Sequence, residues 1–347
     1  MTAVIGRPIT TAPPRLLSRT ATIYIAGHDG MVGSALWRQF TAAGFENLVG
    51  ARSSELDLRD RGATLNFLTR TRPDVIIFAA GRGGAALTDN WQRADRFADN
   101  LHIELNVLEA ARALAVPRLM FIGSAHVYPR TVVQPISENE LLTTEVTPGM
   151  GPVAMAKLTG MQAVESARRD LGLSWINVIP TNLYGPGDDF SPNRSHAIAA
   201  MIRRYDEACR TGVETVVNRG TGCELRDFMH VDDMASACLH LLKNYDADGP
   251  VNIGTGNDVT IGQAAQMISD EIGFDFRTNW DAIDHHVASN GGRHAAGNRF
   301  GAYDSAPRRL LDITRLRRTG WAPSIDLRDG IADTIGWYRS HTEDLRI

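Results

Sequence analysis

Residues 22–36 read TIYIAGHDGMVGSAL, and this stretch decides the fold. Its apolar, β-branched beginning predicts a buried strand, and three glycines follow before a segment of helical periodicity that extends to Phe40. Glycines let backbone N–H groups approach a pyrophosphate, and the amino end of a helix adds partial positive charge there. A dinucleotide is therefore the predicted ligand. The residues expected to contact it here are Gly27, Gly30, Met31, Val32 and Gly33.

Composition narrows the class of protein. The chain has 347 residues and a net charge of −4, without a basic run, which argues against nucleic-acid binding. Its three cysteines form no CxxC motif, so we expect a reducing, cytoplasmic location and no metal site. No apolar run is long enough to span a membrane, and residues 1–20 lack the apolar centre of a secretory signal. We expect those residues to form a disordered tail.

Predicted strands and helices alternate along the chain. The helix Met31–Ala43 leads to a strand at Asn47–Val49, and a second apolar strand spans Asp74–Ala80. A long helix, about Arg93–Leu114, precedes another buried strand at Arg118–Gly123. Alternating βαβ units imply a parallel sheet. We predict an α/β protein with a Rossmann-type, doubly wound parallel sheet and a smaller C-terminal substrate lobe.

The length suits one Rossmann domain with an appended lobe. We expect residues 21–184 with 226–262 to form the NAD(P)-binding domain, and residues 185–225 with 263–347 to form the substrate lobe. Ligands of such sheets lie at the carboxyl ends of the strands. Around these ends we expect further cofactor contacts from Arg52, Asp57, Leu58, Ala79, Ala80, Gly123, Pro180, Asn182 and Leu183.

Seven segments resemble one family in its own order. They are AGHDGMVGSA (26–35), QPISENELL (134–142), PTNLYGPGDDFSP (180–192), SHAIAAMIRRYDEA (195–208), RDFMHVDDMA (226–235), NIGTGNDVTI (252–261) and PRRLLDITRLRRTGW (307–321). Together they resemble the GDP-L-fucose synthases, extended short-chain dehydrogenase/reductases, over nearly the whole chain from Thr22. The resemblance implies an enzyme that epimerises a GDP-linked 4-keto-6-deoxy sugar at C3 and C5 and then reduces C4 with NADPH.

One departure affects the reductive step. The family uses a serine and a Tyr-x-x-x-Lys pair, in which the phenol protonates the carbonyl oxygen. Ser124 and Lys157 match this pattern, but Val153 occupies the tyrosine position. A positioned general acid contributes roughly a hundred- to ten-thousand-fold in rate, so we expect reduction to be weak or absent. Tyr128 and Tyr184 are the nearby candidates for a replacement donor.

A second departure affects epimerisation. The family assigns the proton transfers to a cysteine and a histidine; the histidine matches His196, and the cysteine position holds His126. An imidazole titrates near neutral pH and can perform the same role, so the acid/base pair is altered rather than lost. The alternative is a histidine that only makes backbone hydrogen bonds. The resemblance also places Lys157 and His196 beside the cofactor, and Ser124 remains as a donor to the enolate oxygen.

Cofactor choice depends on charge near the adenosine ribose. The family carries an arginine between the first two glycines, whereas this chain has Asp29, whose carboxylate would repel a 2′-phosphate. Arg52 is positioned to bind that phosphate, one place away from the family's arginines. We expect NADP, with NAD as the alternative.

The substrate lobe is predicted from arginines that match diphosphate oxygens. Arg204, Arg226 and Arg308 follow the resemblance, and Arg219 stands where the family has a tryptophan. The segment between Asp281 and Ala306 has no family counterpart and contains three histidines; we expect a surface loop rather than a metal site.

The sequence leaves three functions open. The first is an epimerase with a weak reductase step, and the second is a catalytically silent paralogue that binds NAD(P) and partners with an active homologue. The third is 4-epimerase or dehydratase chemistry, which also depends on the missing tyrosine. By analogy with the family, we expect a homodimer formed through the helices near residues 93–114 and 152–169.

Overall fold

The computed structural model describes residues 17–82, 90–129, 131–141, 151–192, 194–275, 277–281 and 306–342, without the side chains of residues 90–93 and 152. Most of the predicted tail and of the histidine-containing segment, residues 1–16 and 282–305, lies outside the described residues.

Strands and helices alternate through the first half of the chain, and short strands are more frequent in the second half. The strands are β1 (Ile23–Ala26), β2 (Leu48–Val49), β3 (Val75–Phe78), β4 (Arg118–Ile122), β5 (Ser174–Pro180), β6 (Asn182–Tyr184), β7 (Thr215–Arg219), β8 (Leu225–Arg226), β9 (Phe228–His230), β10 (Val251–Ile253), β11 (Val259–Thr260), β12 (Arg277–Asp281) and β13 (Arg308–Arg309). The helices are α1 (Met31–Ala42), α2 (Arg61–Thr71), α3 (Asn90–Ala113), α4 (Pro152–Leu171), α5 (Ala197–Thr211), α6 (Val231–Asn244), α7 (Ile261–Ile272), α8 (Thr314–Arg318) and α9 (Leu327–Ser340).

The largest sheet has six parallel strands in the order β10-β5-β4-β3-β1-β2. The chain leaves β1 towards β2 on one side and returns to β3 on the other, so the strand order reverses between β1 and β3. Ligands of doubly wound sheets bind in the crevice at such a reversal. Every residue of β1, β3 and β4 is buried, which explains why these strands read as continuous apolar runs. The predicted α/β, doubly wound architecture is confirmed.

Two apolar cores stabilise the described part of the chain. The first surrounds the six-stranded sheet and includes α6, while the second joins α5, α7 and α9 through residues such as Tyr205, Ile268 and Ile335. Three short sheets accompany them, in the orders β11-β8-β13, β12-β7 and β6-β9. Residues Leu311 and Trp321, within the predicted lobe, pack in the first core. The domain division drawn from the sequence stays a prediction.

Helix α6 begins with a histidine cap although two aspartates follow in its first turn. The capping residue is His230, whose Nδ1 accepts the N–H of Asp232 at 3.3 Å. Asp233 instead accepts hydrogen bonds from the backbone N–H groups of Ser324 and Ile325. The reason is tertiary: the chain before α9 needs an acceptor, and Asp233 supplies it.

Candidate active site

The glycine turn after β1 has no room for side chains. Gly27 has a φ of +81°, and a Cβ there would lie 2.8 Å from the Cα of Ala80, just beyond β3. A Cβ on Gly33 would lie 2.0 Å from the Gly27 carbonyl oxygen. Gly30 caps α1 without a side-chain hydrogen bond, so no side chain occupies the amino end of this helix at the cap. A close-packed turn at a helix amino end matches the geometry that accepts a pyrophosphate.

Residues expected at the adenosine end follow β2. The backbone N–H of Arg52 donates to the Glu55 carboxylate at 2.9 Å, while the Arg52 side chain is exposed. Asp57 forms an ion pair with Arg59 at 2.7 Å, and hydrogen bonding to Arg59 lowers the pKa of Asp57 to about 2. Leu58 packs against the first core. The Asp57 carboxylate is thus ionised and already engaged by an arginine.

Ser124 and His126 meet directly beyond the carboxyl end of β4. The Ser124 Oγ lies 3.1 Å from Nδ1 of His126 and accepts the His126 backbone N–H at 3.3 Å. A short 3₁₀ turn, Ala125–Val127, creates this contact by bringing residue i+2 back over residue i. His126 is exposed, whereas its flanking residues are buried. The arrangement presents an imidazole and a hydroxyl together at the strand end where substrates of this fold bind.

Lys157 lies one helical turn after Val153 on α4, and both side chains are half-buried. The Lys157 Nζ is 3.4 Å from the carbonyl oxygen of Ala80 and 3.5 Å from Oε1 of Glu104. Across the crevice between β1 and β3, Ala80 therefore lies next to Gly27 on one side and to the Lys157 ammonium on the other. Burial lowers the pKa of the Lys157 ammonium, an effect that the charge of Glu104 opposes.

The two tyrosines considered as replacement donors are engaged elsewhere. The Tyr128 hydroxyl donates to Oδ1 of Asn252 at 2.7 Å, and the Tyr184 hydroxyl donates to the Leu327 carbonyl at 3.4 Å. Each residue is at most 2% exposed, and burial raises the pKa of both phenols. Neither phenol is positioned to protonate a ligand in the crevice.

His196 has a carboxylate partner. It caps α5, and its Nδ1 lies 3.5 Å from Oδ1 of the buried Asp188. Hydrogen bonding to Asp188 raises the pKa of His196. The imidazole side chain is 55% exposed, so it combines a fixed partner on one nitrogen with access to a ligand. This is the arrangement expected of a histidine that exchanges protons near neutral pH.

The remaining cofactor candidates lie at strand ends. The Gly123 N–H donates to the Val178 carbonyl at 2.8 Å, which fixes the chain immediately before Ser124. Pro180 ends β5, and Leu183 lies in the short β6. The Asn182 amide donates to the Asp227 carbonyl at 3.0 Å, so this side chain supports the loop beside the site.

The predicted substrate-binding arginines fall into two groups. Arg226 and Arg308 lie on the neighbouring strands β8 and β13, and the Arg308 guanidinium pairs with Asp258. Arg204, on α5, donates to Oδ1 of Asn218 at 2.8 Å. Arg219 follows Asn218 and is exposed on β7. Their roles in substrate binding stay predictions.

Sequence reasoning missed two carboxylates. Glu104 occupies a buried position on α3 among apolar neighbours such as Val107 and Leu108, and a glutamate on an apolar helix face was the signal that could have identified it. Asp188 lies in a glycine-rich loop, where no periodic pattern distinguishes a buried acid from an exposed one.

A doubly wound sheet, a glycine turn at its strand reversal and acid/base side chains at the end of β4 define a nucleotide-dependent enzyme class. The chain belongs to the NAD dependent epimerase/dehydratase family, whose model matches residues 23–254. In the described part of the chain, no helix is both long enough and apolar enough to cross a bilayer.

Individual relatives are more specific. The chain is 37% identical to GDP-L-fucose synthase 1 of Arabidopsis thaliana, with 97% of this chain and 98% of that protein covered. It is also 37% identical to the GDP-L-fucose synthase of Escherichia coli K12, covering 93% and 98%. Among solved structures, the GDP-mannoheptose C4 reductase of Campylobacter jejuni with NADP bound is 28% identical with a TM-score of 0.79, covering 93% of this chain and 99% of that chain.

Proposed function

We propose that the protein binds NADP(H) and a GDP-linked 4-keto-6-deoxy sugar and epimerises the sugar at C3 and C5, with C4 reduction weak or absent. The observation that carries the proposal is the contact between Ser124 and His126 at the carboxyl end of β4. Relatives named as GDP-L-fucose synthases, which span almost the whole chain, support a GDP-linked substrate.

Epimerisation needs a base on one face of the sugar ring and an acid on the other. His126 and His196 are assigned these roles, since one lies beside a hydroxyl and the other beside a carboxylate. Removal of a proton from C3 or C5 places negative charge on the C4 oxygen, and the Ser124 hydroxyl donates a hydrogen bond to it. Proton return from the opposite face inverts the carbon centre.

The residues of the glycine turn fit a dinucleotide, because a Cβ on Gly27 or Gly33 would collide with main-chain atoms of the cradle. NADP(H), when bound, supplies hydride chemistry at C4. Lys157 is assigned to the nicotinamide ribose, and Arg52 to the 2′-phosphate that distinguishes NADP from NAD. Arg204, Arg226 and Arg308 are assigned to the GDP diphosphate, and Arg219 to substrate binding at the position of the family's tryptophan.

Reduction requires a proton donor at the C4 oxygen in addition to hydride. Val153 offers no proton, and the phenols of Tyr128 and Tyr184 are hydrogen-bonded within the protein. A loss of roughly a hundred- to ten-thousand-fold in the reductive rate is expected from the missing acid.

Val153 also supports a second candidate function, a non-catalytic paralogue that binds NAD(P) and pairs with an active homologue. We further propose that the protein is cytoplasmic and forms a homodimer through α3 and α4, which pack against each other within the protomer.

The deciding experiment is incubation of the protein with GDP-4-keto-6-deoxymannose in deuterated water, with and without NADPH. Label at C3 and C5 is followed by NMR, and NADPH by absorbance. Exchange without NADPH oxidation supports the epimerase. Exchange with stoichiometric oxidation would contradict the loss of reduction, and cofactor binding without exchange would favour the paralogue.

A further inference from the structure

A buried ion pair between Glu104 and Lys157 lies beneath the crevice. Its carboxylate has no part in the proton transfers assigned to His126 and His196. The side chain of Glu104 is 1% exposed, and its nearest cation is the Lys157 ammonium at 3.5 Å. In the described part of the chain, no hydrogen bond satisfies either oxygen of this carboxylate. Burying an unpaired carboxylate costs free energy of folding. Glu104 therefore stays ionised only while Lys157 supplies the opposite charge.

Two stacked aromatic rings lie beside the ammonium. The Lys157 Nζ lies 5.0 Å from the ring centroid of Phe78 and 4.8 Å from that of Phe121. These rings stack at 5.1 Å with an interplanar angle of 5°, one from β3 and the other from β4. Cation–π attraction, the carboxylate and the Ala80 carbonyl therefore define one position for the ammonium.

This position leaves the ammonium with a donor to spare. An ammonium has three N–H donors, and in the described structure the Ala80 carbonyl accepts a hydrogen bond from one of them, while Glu104 lies at ion-pair distance. The Lys157 side chain is 12% exposed, so the described residues do not enclose it completely. Val153, one turn earlier on the same helix, is several atoms shorter than a tyrosine, and its side chain carries no proton donor.

We propose that Lys157, held by Glu104, donates the proton to the ketone oxygen of the sugar, in place of the phenol that Val153 lacks. Glu104 is then a positioning residue for a catalytic lysine. This inference rests on the proposed epimerase function and replaces the ribose assignment of Lys157. A spare N–H of the ammonium goes to the ketone oxygen, so the nicotinamide ribose loses its lysine contact and C4 reduction stays weak.

The proton balance of the step closes when water takes the proton from the first histidine and returns one to the second. A histidine removes the proton from C5 or C3, the C–H electron pair forms the C=C bond, and the carbonyl π pair moves to oxygen, which takes a proton from the Lys157 ammonium. In the return step the enol O–H gives its proton back to the Lys157 amine, the carbonyl re-forms, and the carbon takes a proton from the opposite histidine. Glu104 stabilises the ammonium at the start and end of this cycle.

Two substitutions of Glu104 separate charge from shape. Glu104→Gln keeps the size and removes the charge, whereas Glu104→Asp keeps the charge and shortens the side chain. Glu109→Gln is the matched control, because Glu109 lies on the same helix but pairs with Arg61 at the surface. Each variant is assayed by solvent deuterium exchange at C3 and C5 from pH 6 to 10, with NADPH affinity and thermal unfolding measured in parallel.

We expect Glu104→Gln to lower exchange at least about tenfold and to move the basic limb of the pH profile to lower pH, because the amine loses the charge that keeps it protonated. Glu104→Asp should retain more activity than Glu104→Gln. In a Val153→Tyr background, the effect of Glu104→Gln should shrink, since the phenol again provides a donor.

Exchange within twofold of wild type in Glu104→Gln, or an unchanged pH profile, would overturn the donor role and leave the proposed function intact. A larger loss in Glu104→Asp than in Glu104→Gln would also overturn it, because shape rather than charge would then matter. Absence of exchange in the wild type would overturn the proposed function itself, and the donor role with it.

Discussion

The phenol of Tyr128 donates a 2.7 Å hydrogen bond to Oδ1 of Asn252, the middle residue of β10. The Asn252 amide in turn donates to the Ile136 carbonyl at 2.9 Å, so the phenol belongs to a buried network that joins the end of β4 to β10. A tyrosine with this task cannot also protonate a sugar, since its hydroxyl carries one hydrogen. The absence of a phenol at position 153 is therefore uncompensated by Tyr128.

Restoring the phenol should restore reduction. We expect Val153→Tyr to raise NADPH oxidation with the keto sugar by roughly a hundred- to ten-thousand-fold, because it returns a general acid one helical turn from Lys157. Val153→Phe is the control, as it adds the ring without the hydroxyl. Equal oxidation by the Tyr and Phe variants would show that ring volume, and not proton donation, limits the reaction.

His126 should tolerate the family's residue better than an inert one. Deuterium exchange is expected to fall by about a hundredfold or more in His126→Ala and to stay within about tenfold in His126→Cys, since a thiol can also transfer protons. His240→Gln is the comparison. His240 lies on α6, and its Nε2 is 3.0 Å from the Thr319 carbonyl oxygen, away from the crevice. Full exchange in His126→Ala would remove His126 from the mechanism.

Asp188 should set the titration of His196. Since hydrogen bonding to Asp188 raises the pKa of His196, the imidazolium persists to higher pH in the native protein than in a free histidine. Asp188→Asn should lower that pKa and move the acidic limb of the exchange profile to lower pH. NMR titration of the imidazole measures the shift directly, with His240 in the same spectrum as an internal reference. An unchanged His196 titration would contradict the pairing.

Asp227 should make stability depend on pH. Burial raises its pKa from 3.8 to about 6, so the folded state favours the protonated form. The contribution is complete below about pH 4 and is lost as pH rises through about 6, with an amplitude of about 3 kcal/mol. We expect the free energy of unfolding of Asp227→Asn to vary less between pH 4 and pH 7 than that of wild type. Parallel pH curves for the two proteins in urea unfolding would contradict the assignment.

The glycine turn should be intolerant of a single methyl group. Gly33→Ala places a Cβ 2.0 Å from the Gly27 carbonyl oxygen, so the cradle must shift and NADPH affinity should fall by about tenfold or more. Gly336→Ala is a matched control on α9, where the new Cβ has no described neighbour within 4 Å outside its own helix. It should leave affinity unchanged and favour the helix by about 1 kcal/mol. NADPH fluorescence titration compares the two variants.

The sequence was informative where one residue type satisfies one local requirement. Gly27 needs a positive φ, and the apolar run of β3 needs burial on both faces, so pattern alone located the turn and the strands. The partners of Lys157 and His196 could not be found this way. Glu104 is 53 positions from Lys157, and the two side chains meet only because α3 packs on α4. Asp188 is 8 positions from His196, and they meet only because the loop after β6 folds against α5.

The contacts from Gly27 through Ala80 to Lys157 run through main-chain atoms of the first two residues. The distance between the glycine turn and the Lys157 ammonium is consequently set by the backbone. It does not depend on which apolar side chains fill the sheet. Redesign of the apolar core should therefore change the free energy of unfolding but not this distance. Substitutions at Val153 and around it can then change the chemistry while the cofactor-binding turn and the Lys157 ammonium keep their separation.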